Sequence, residues 1–374
     1  NKSLRSLAEY TYIHRSLFVK ISSSLINDYL HYINDSINAE HQYYSFTNRI
    51  RLDIIGIKRL TVKPGLDLSH DWVNSDAYNN QKQRNVLAGF IELIYKVTPA
   101  VTLSGLARAE VVDGKLMPFI PAIGVEYKPF SKINLSLSAN LSRNYRYPSL
   151  NDLYWETWGN PELLPELSYG AEGGITWNWL NNSKRFFLEA ELTGYYLLIQ
   201  DMIVWSPSSA SSAIWIPENI SEVASRGIEA GINSTFAYWK SNLDLNVTYN
   251  FCKATYQKEI NPNGSSFGKQ LIYTPVHTLN ASIRLERNRF YFSYLFNFTG
   301  RRYLGKENTE YMPGYNLSNI FLGKSFQLKD FNLSLQIEIN NLFDLDYQSI
   351  AYRPMPGRNF GITIRGSFSR KSSQ

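Results

Sequence analysis

Apolar and polar residues alternate with a period of two along most of this chain. In the stretch 133–142 the odd positions Ile133, Leu135, Leu137, Ala139 and Leu141 are apolar, while Asn134, Ser136, Ser138, Asn140 and Ser142 are polar. Successive side chains of a strand point to opposite faces, so this spelling predicts a strand with one apolar and one wet face. The pattern returns at Leu243, Leu245, Val247 and Tyr249, at Leu279, Ala281, Ile283 and Leu285, and at Phe331, Leu333, Leu335, Ile337 and Ile339. These runs last about ten residues or more, whereas strands of soluble sheets are most often about five or six. The predicted strands are therefore long enough to cross a bilayer.

The connections carry a second regularity. Short ones near 98–99, 129–131, 181–183, 240–241, 287–288 and 327–329 alternate with longer ones at 75–82, 113–116, 146–165, 206–222, 257–272, 303–312 and 349–357. Membrane β-barrels have short turns on one side and long loops on the other. With further strands expected near 10–22, 43–54 and 58–72, the chain reads as an all-β, antiparallel transmembrane barrel of about sixteen strands, both ends lying on the short-turn side. A soluble sandwich would need Greek-key crossings and a propeller would need similar repeated blades; neither pattern is present.

Composition narrows the class. Aromatic residues make up 14% of the chain, with 26 Tyr and 20 Phe, which suits strands with one lipid-facing side better than a dry core. The densest apolar stretch, 86–95, is interrupted by Glu92 and falls well short of the roughly 18 residues of a spanning helix, so a helical membrane protein is excluded. The first residues show no signal-peptide core, the expectation for a processed protein or a piece of a longer one. A lone Cys252 excludes an internal disulfide and a cysteine zinc site, and His14, His31, His41, His70 and His277 lack metal-ligand spacing; no metal and no cofactor are expected. The net charge of +6 is scattered rather than striped, which argues against nucleic acid and suits anionic lipid headgroups. Several Asn-X-Ser/Thr triplets follow from the alternation, because Asn and Ser two apart share the wet face. An enzyme is the competing class. Glu189 and Glu191 do share one wet face, but no Gly-X-Ser-X-Gly occurs, and hydrogen bonding inside the barrel is their expected role.

Three segments depart from simple alternation. The first holds Tyr147-Pro148-Ser149, Asn151-Asp152-Leu153-Tyr154, Gly159-Asn160-Pro161 and Leu164-Pro165-Glu166; the second reads Ala224-Ser225-Arg226-Gly227-Ile228-Glu229. The third is Asn340-Asn341-Leu342-Phe343-Asp344-Leu345-Asp346-Tyr347, then Pro356-Gly357-Arg358 and a terminal strand ending at Phe368. Pro148, Pro161 and Pro165 fix φ and remove donors, which ends pairing and stiffens a loop. Gly227 inside a strand leaves room for a neighbouring aromatic ring. The long loops are dense in rings and cations: Tyr145, Arg146, Tyr154, Trp155 and Trp158 in one, Trp205 and Trp215 in the next, Tyr352 and Arg353 in the last. Such surfaces suit a large, partly apolar ligand; girdles at the membrane interface are the alternative use of the same rings.

In their order and spacing these segments resemble the TonB-dependent outer-membrane receptors, from Tyr145 to Phe368. The motif positions are Pro148, Asn160, Pro161, Pro165, Glu166, Gly227, Glu229, Asn341, Phe343, Tyr347, Gly357, Arg358 and Phe368. The resemblance implies a barrel of about 22 strands in a Gram-negative outer membrane, filled by an N-terminal plug. It further implies a coupling segment ahead of the plug that binds TonB, contact with outer-membrane lipid and lipopolysaccharide, uptake of a large scarce nutrient and, as a further partner, a surface lipoprotein. Residues 1–374 would then be the C-terminal barrel portion, with the plug outside this chain. A complete sixteen-stranded, porin-like passive channel is the alternative. The haem subclass places a histidine between related motifs, and 148–160 has none, which argues against haem. Cobalamin or a ferric siderophore is the implied cargo, and the run 151–155 looks more like the cobalamin group.

Overall fold

The computed structural model describes residues 1–368 apart from 34–37, 157, 182, 184, 209–210, 259–264 and 329; the side chains of 206–208, 211–215, 220 and 221 also lie outside the described set. Among the described residues the strands form one 18-stranded sheet and two two-stranded ribbons. The chain divides into two compact units.

The first unit comprises residues 1–127, 138–172 and 197–223. It opens with β1 (Lys2–His14), β2 (Leu17–Ile33), β3 (Asn38–Ile57), β4 (Leu60–Ser75), β5 (Lys82–Lys96) and β6 (Val101–Val112), each pairing antiparallel with the next. A two-residue β7 (Lys115–Leu116) folds back on β6, which then pairs with β8 (Ile120–Tyr127). Four strands are divided between the units: β9 (Asn134–Arg146), β10 (Glu166–Leu180), β11 (Phe186–Ser208) and β12 (Ser211–Tyr238). Between β9 and β10 sits the one short helix among the described residues, α1 (Leu150–Tyr154).

The second unit contains β13 (Ser241–Tyr256), β14 (His277–Arg287), β15 (Phe290–Thr299), the ribbon β16 (Arg302–Tyr303) with β17 (Tyr311–Met312), then β18 (Tyr315–Leu328), β19 (Phe331–Asn340), the ribbon β20 (Gln348–Ile350) with β21 (Arg353–Pro354), and β22 (Asn359–Phe368). Register confirms the two-faced reading. Leu243, Leu245, Val247 and Tyr249 face Leu285, Ile283, Ala281 and Leu279 across β13 and β14, while Asp244 faces Arg284 and Asn246 faces Ser282. Leu335, Ile337 and Ile339 likewise sit opposite Ile364, Ile362 and Phe360.

Burial is inverted relative to a water-soluble fold. The apolar side of the strands stays open, with Leu66, Leu87, Leu103, Leu141, Leu245 and Ile337 all exposed. Continuous apolar area of this kind is costly in water and neutral in hydrocarbon, so the face is built for lipid. Aromatic rings collect at the short-turn ends. Trp179 meets Phe186 at 5.3 Å, and Phe331 meets Phe368 at 4.8 Å, as in an interface girdle. No described helix is long and apolar enough to cross a membrane, which says nothing about crossing by strands.

Several boundaries differ from expectation. The stretch 10–22 is not one strand but a hairpin, because Arg15, at φ 47°, and Ser16 form a tight turn between β1 and β2. The long strands among the described residues thus number seventeen, and β1 begins on the long-loop side rather than the short-turn side. The loop expected at 206–222 is largely extended backbone, since β11 reaches Ser208 and β12 resumes at Ser211. The loops at 303–312 and 349–357 hold the small ribbons β16–β17 and β20–β21.

Candidate functional site

The connection between β9 and β10 is an organised frame. Its helix α1 is started by a capping box: Asp152 N–H donates to Ser149 Oγ at 3.1 Å, while Asp152 Oδ2 accepts from Ser149 N–H at 2.9 Å and Ser149 Oγ at 2.7 Å. The other carboxylate oxygen accepts the indole N–H of Trp205 at 3.0 Å. Asp152 is buried, so its charge is held by three donors instead of water. Around it, Leu153, Leu163 and Ile203 make a small buried cluster with Tyr147 and Tyr154 packed against it. Pro148 is fully buried; its carbonyl accepts from Arg84 Nη2 at 2.7 Å, and the Arg84 guanidinium stacks 4.7 Å from the Tyr147 ring.

Three further ties hold the loop. Arg146, the last residue of β9, makes a bidentate pair with Glu166, the first of β10, at 2.8 and 2.5 Å. Glu166 also accepts the Ile203 N–H at 2.7 Å. That hydrogen-bonded pairing raises the affinity of Arg146 for its proton. Asn160 donates its backbone N–H to the Asp152 carbonyl at 2.7 Å and its side-chain amide to the Pro217 carbonyl at 3.2 Å. Gly159 allows this return: a Cβ there would lie 2.6 Å from Trp155 N and 2.8 Å from Tyr154 N. From β4 and the turn after it, Tyr78 donates to the Asn151 side chain, and burial raises the Tyr78 phenol. What remains free is the top. Trp155 is 42% exposed, 5.8 Å from Trp205, and the ammonium of Lys82 lies 4.9 Å over the neighbouring Tyr154 ring.

A family profile described as TonB dependent receptor-like, beta-barrel matches residues 2–342. The chain belongs to this TonB-dependent receptor β-barrel family. Its fold is accordingly an antiparallel transmembrane β-barrel, in a family of the outer membrane. The chain is 30% identical over 286 residues to a vitamin B12 transporter, BtuB, of Photobacterium profundum, covering 76% of this chain and 43% of the relative. BtuB of Vibrio vulnificus is 29% identical over 236 residues, covering 62% and 34%. The chain therefore spans less than half the length of the curated relatives it matches. Among solved structures, the copper transporter OprC superposes with a TM-score of 0.71 at 15% identity, covering 97% of this chain and 64% of that one. The FrpB iron transporter from Neisseria meningitidis gives 0.70 at 14%, covering 98% and 63%. At such identities the likeness concerns the fold alone.

In this receptor barrel the expected ligand positions have different surroundings. Tyr145 donates to Glu110, Arg146 is engaged by Glu166, and the Trp205 indole is engaged by Asp152. Trp158 is half-buried and its backbone N–H donates to the Trp155 carbonyl at 3.1 Å. Trp215 has a side chain outside the described set. In the second unit Tyr352 is 92% exposed at φ 64°, at the tip of the β20–β21 ribbon beside exposed Arg353.

Several of the remaining motif residues are tied into the local backbone. A Cβ on Gly227 would overlap the Phe251 carbonyl and lie 2.5 Å from the Tyr195 hydroxyl, so the expected room for an aromatic is present. Glu229 is exposed on the same strand. Asn341 is buried at φ 50°; its side chain accepts from Leu345 N–H at 2.9 Å and donates to the Leu345 carbonyl at 2.8 Å. Asp344 accepts the Arg358 N–H at 2.7 Å, and a Cβ at Gly357 would lie 2.9 Å from that carboxylate, so a larger residue there would have to displace the Asp344 side chain. Tyr347 packs on Tyr315 at 4.8 Å, and Phe343 is 71% exposed. Sequence reasoning missed Asp152, Arg84, Tyr78 and Asn219 as loop anchors. Asn219 exchanges hydrogen bonds with Leu164 at 2.8 and 2.9 Å and also donates to the Asp201 carbonyl. Only the Ser149-x-x-Asp152 spacing carried a readable signal.

Proposed function

We propose that this chain is the barrel portion of an outer-membrane receptor that takes up a large, scarce nutrient, with cobalamin ahead of a ferric siderophore as cargo. The observation that carries the reading is the frame between β9 and β10, in which ten or so polar ties hold Trp155 out at the surface above a buried carboxylate. A rigid aromatic platform loses little entropy on capture, and an apolar macrocycle offers it a flat partner. The relatives named as vitamin B12 transporters support the choice of cargo.

On this reading residues 1–374 are one β-barrel domain, and the plug and the TonB-binding segment belong to the rest of the receptor. Arg146, Tyr154, Trp155, Trp158 and Trp205 form or support the capture surface, with Tyr145 fixing the strand end beneath; Trp215, Tyr352 and Arg353 are further candidates. Binding and transport are the function, without catalysis. Outer-membrane lipid, lipopolysaccharide and TonB are the partners, and a surface lipoprotein is a further one.

The test is uptake of labelled cobalamin and of a ferric siderophore by a receptor-deleted strain carrying the full-length gene, with and without TonB. Cobalamin uptake that disappears without TonB is the expected result. Uptake indifferent to TonB would favour passive diffusion.

A further inference from the structure

The second unit carries a polar pocket on its wet face at the short-turn end. There the β18–β19 hairpin outruns its neighbour: β15 starts at Phe290 opposite Lys324, while β18 continues to Leu328. One row of residues crosses this ledge. The Arg289 carbonyl, in the β14–β15 turn, accepts the Ser325 N–H at 2.9 Å; Ser325 pairs with Ser334, and Ser334 with Arg365. Alternation puts Ser325, Ser334 and Arg365 on the wet face, because Leu333, Leu335 and Ile364 take the apolar one. The row thus has an arginine at each end and two hydroxyls between. With Asn332 and Ser367 of the next row it lines a pocket of about 310 Å³.

We propose that this pocket binds an oxyanion, a carboxylate or phosphate group, between Arg289 and Arg365. The inference uses the barrel fold alone and is independent of the cargo. Charge comes first. Among the described residues neither guanidinium has a hydrogen-bond, ion-pair or ring partner. Arg284, on the same face, shows the contrast: it is paired with Glu286 at 3.1 Å and lies 3.8 Å from the Tyr291 ring. No Asp or Glu lines the pocket, and Glu338, two rows further along β19, accepts from Gln336 at 3.0 Å. Two cations facing one cavity without a counter-charge repel each other, and an anion between them relieves that repulsion.

The donors then select the class of anion. Adjacent strands lie about 4.8 Å apart, so three strand steps separate the two arginine backbones by roughly 14 Å, and each long side chain spans about half of that. A guanidinium offers its N–H groups as a flat fork, which matches two oxygens of one group better than a spherical halide. The hydroxyls of Ser325 and Ser367 and the carboxamide of Asn332 have no partner of their own among the described residues and add donors to the same space. The volume admits the oxyanion together with part of the molecule that carries it. In outer-membrane barrels the short turns face the periplasm, so the group comes from a periplasmic solute or from another part of the receptor.

The test footprints the full-length receptor in detergent with phenylglyoxal, which modifies accessible guanidiniums, and reads each arginine by peptide mass spectrometry. Arg15, exposed in the short turn between β1 and β2, is the control. If the occupant is a free solute, about 10 mM phosphate or succinate should slow modification of Arg289 and Arg365 about tenfold, for a Kd on the order of 1 mM, and leave Arg15 unchanged. Arg365→Gln should then abolish the protection of Arg289; protection that survives it would overturn the shared site. If the occupant is a carboxylate of the receptor itself, both arginines should be protected without any additive. In Arg365→Lys a carbodiimide should then join the introduced amine to that carboxylate, and peptide mapping would locate it. Modification of both arginines at the Arg15 rate under every condition would overturn the proposal. Protection with neither an anion effect nor a carbodiimide product would overturn it too, because neutral groups would then cover the two side chains.

Discussion

The Asp152 carboxylate receives the Ser149 N–H, the Ser149 hydroxyl and the Trp205 indole N–H while lying out of reach of solvent. It therefore joins a local capping motif to a residue 53 positions away. Replacing it with alanine keeps the Ser149 cap on the backbone N–H of residue 152 but removes the carboxylate half of the capping box and leaves the indole donor unpaired, a loss of about 2–3 kcal/mol confined to the loop. Asp152→Ala should leave the barrel folded, with unchanged heat-modifiable gel mobility, while residues 147–165 become protease-sensitive and exchange amide hydrogens faster. Loss of the folded barrel itself would show that the loop is not an independent layer. The two halves of this role differ in legibility. Ser149 and Asp152 are three apart and spell a capping box, so the helix start was readable. The partnership with Trp205 was not, because nothing in the spelling of β11 says which loop residue its indole will reach.

At the scale of strands, the period-two pattern was sufficient because lipid and water impose opposite demands on successive side chains. Leu245 and Asn246 are neighbours in β13, yet one faces Ile283 and the other Ser282. An arginine should separate them sharply. Leu245→Arg puts a guanidinium into hydrocarbon and should cost ~2–4 kcal/mol near the midplane, whereas Asn246→Arg, on the wet face, should cost little. Unfolding of both variants from lipid vesicles by urea would measure the difference, and equal destabilisation would refute the assignment of faces. Where the pattern misled, its cause was a local one. The turn at Arg15 and Ser16 has neither glycine nor proline, so β1 and β2 spell like a single segment. Beyond the membrane neither face meets lipid, so the end of β11 up to Ser208 and the start of β12 from Ser211 lack alternation and read as a loop.

For the whole receptor, the proposed cargo must be recognised by surfaces that stay available after the loops have folded, and this condition reduces the expected set. Arg146 and Trp205 already satisfy partners within the frame, whereas Trp155 keeps 42% of its surface open. Binding energy should follow that division. Trp155→Ala should weaken cobalamin binding by ~2 kcal/mol, about thirtyfold in Kd, as expected for an aromatic anchor. Trp205→Phe keeps the ring beside Trp155 but deletes the indole N–H bonded to Asp152, so it should weaken binding less and loosen the loop more. Measuring affinity by calorimetry and loop order by hydrogen exchange on the same two full-length variants separates contact from support. If Trp155→Ala leaves affinity unchanged while Trp205→Phe abolishes it, the frame itself is the binding surface and the exposed indole is a membrane-interface ring. If neither variant alters affinity, capture belongs to another loop, with Tyr352 at its fully presented ribbon tip as the next position to replace.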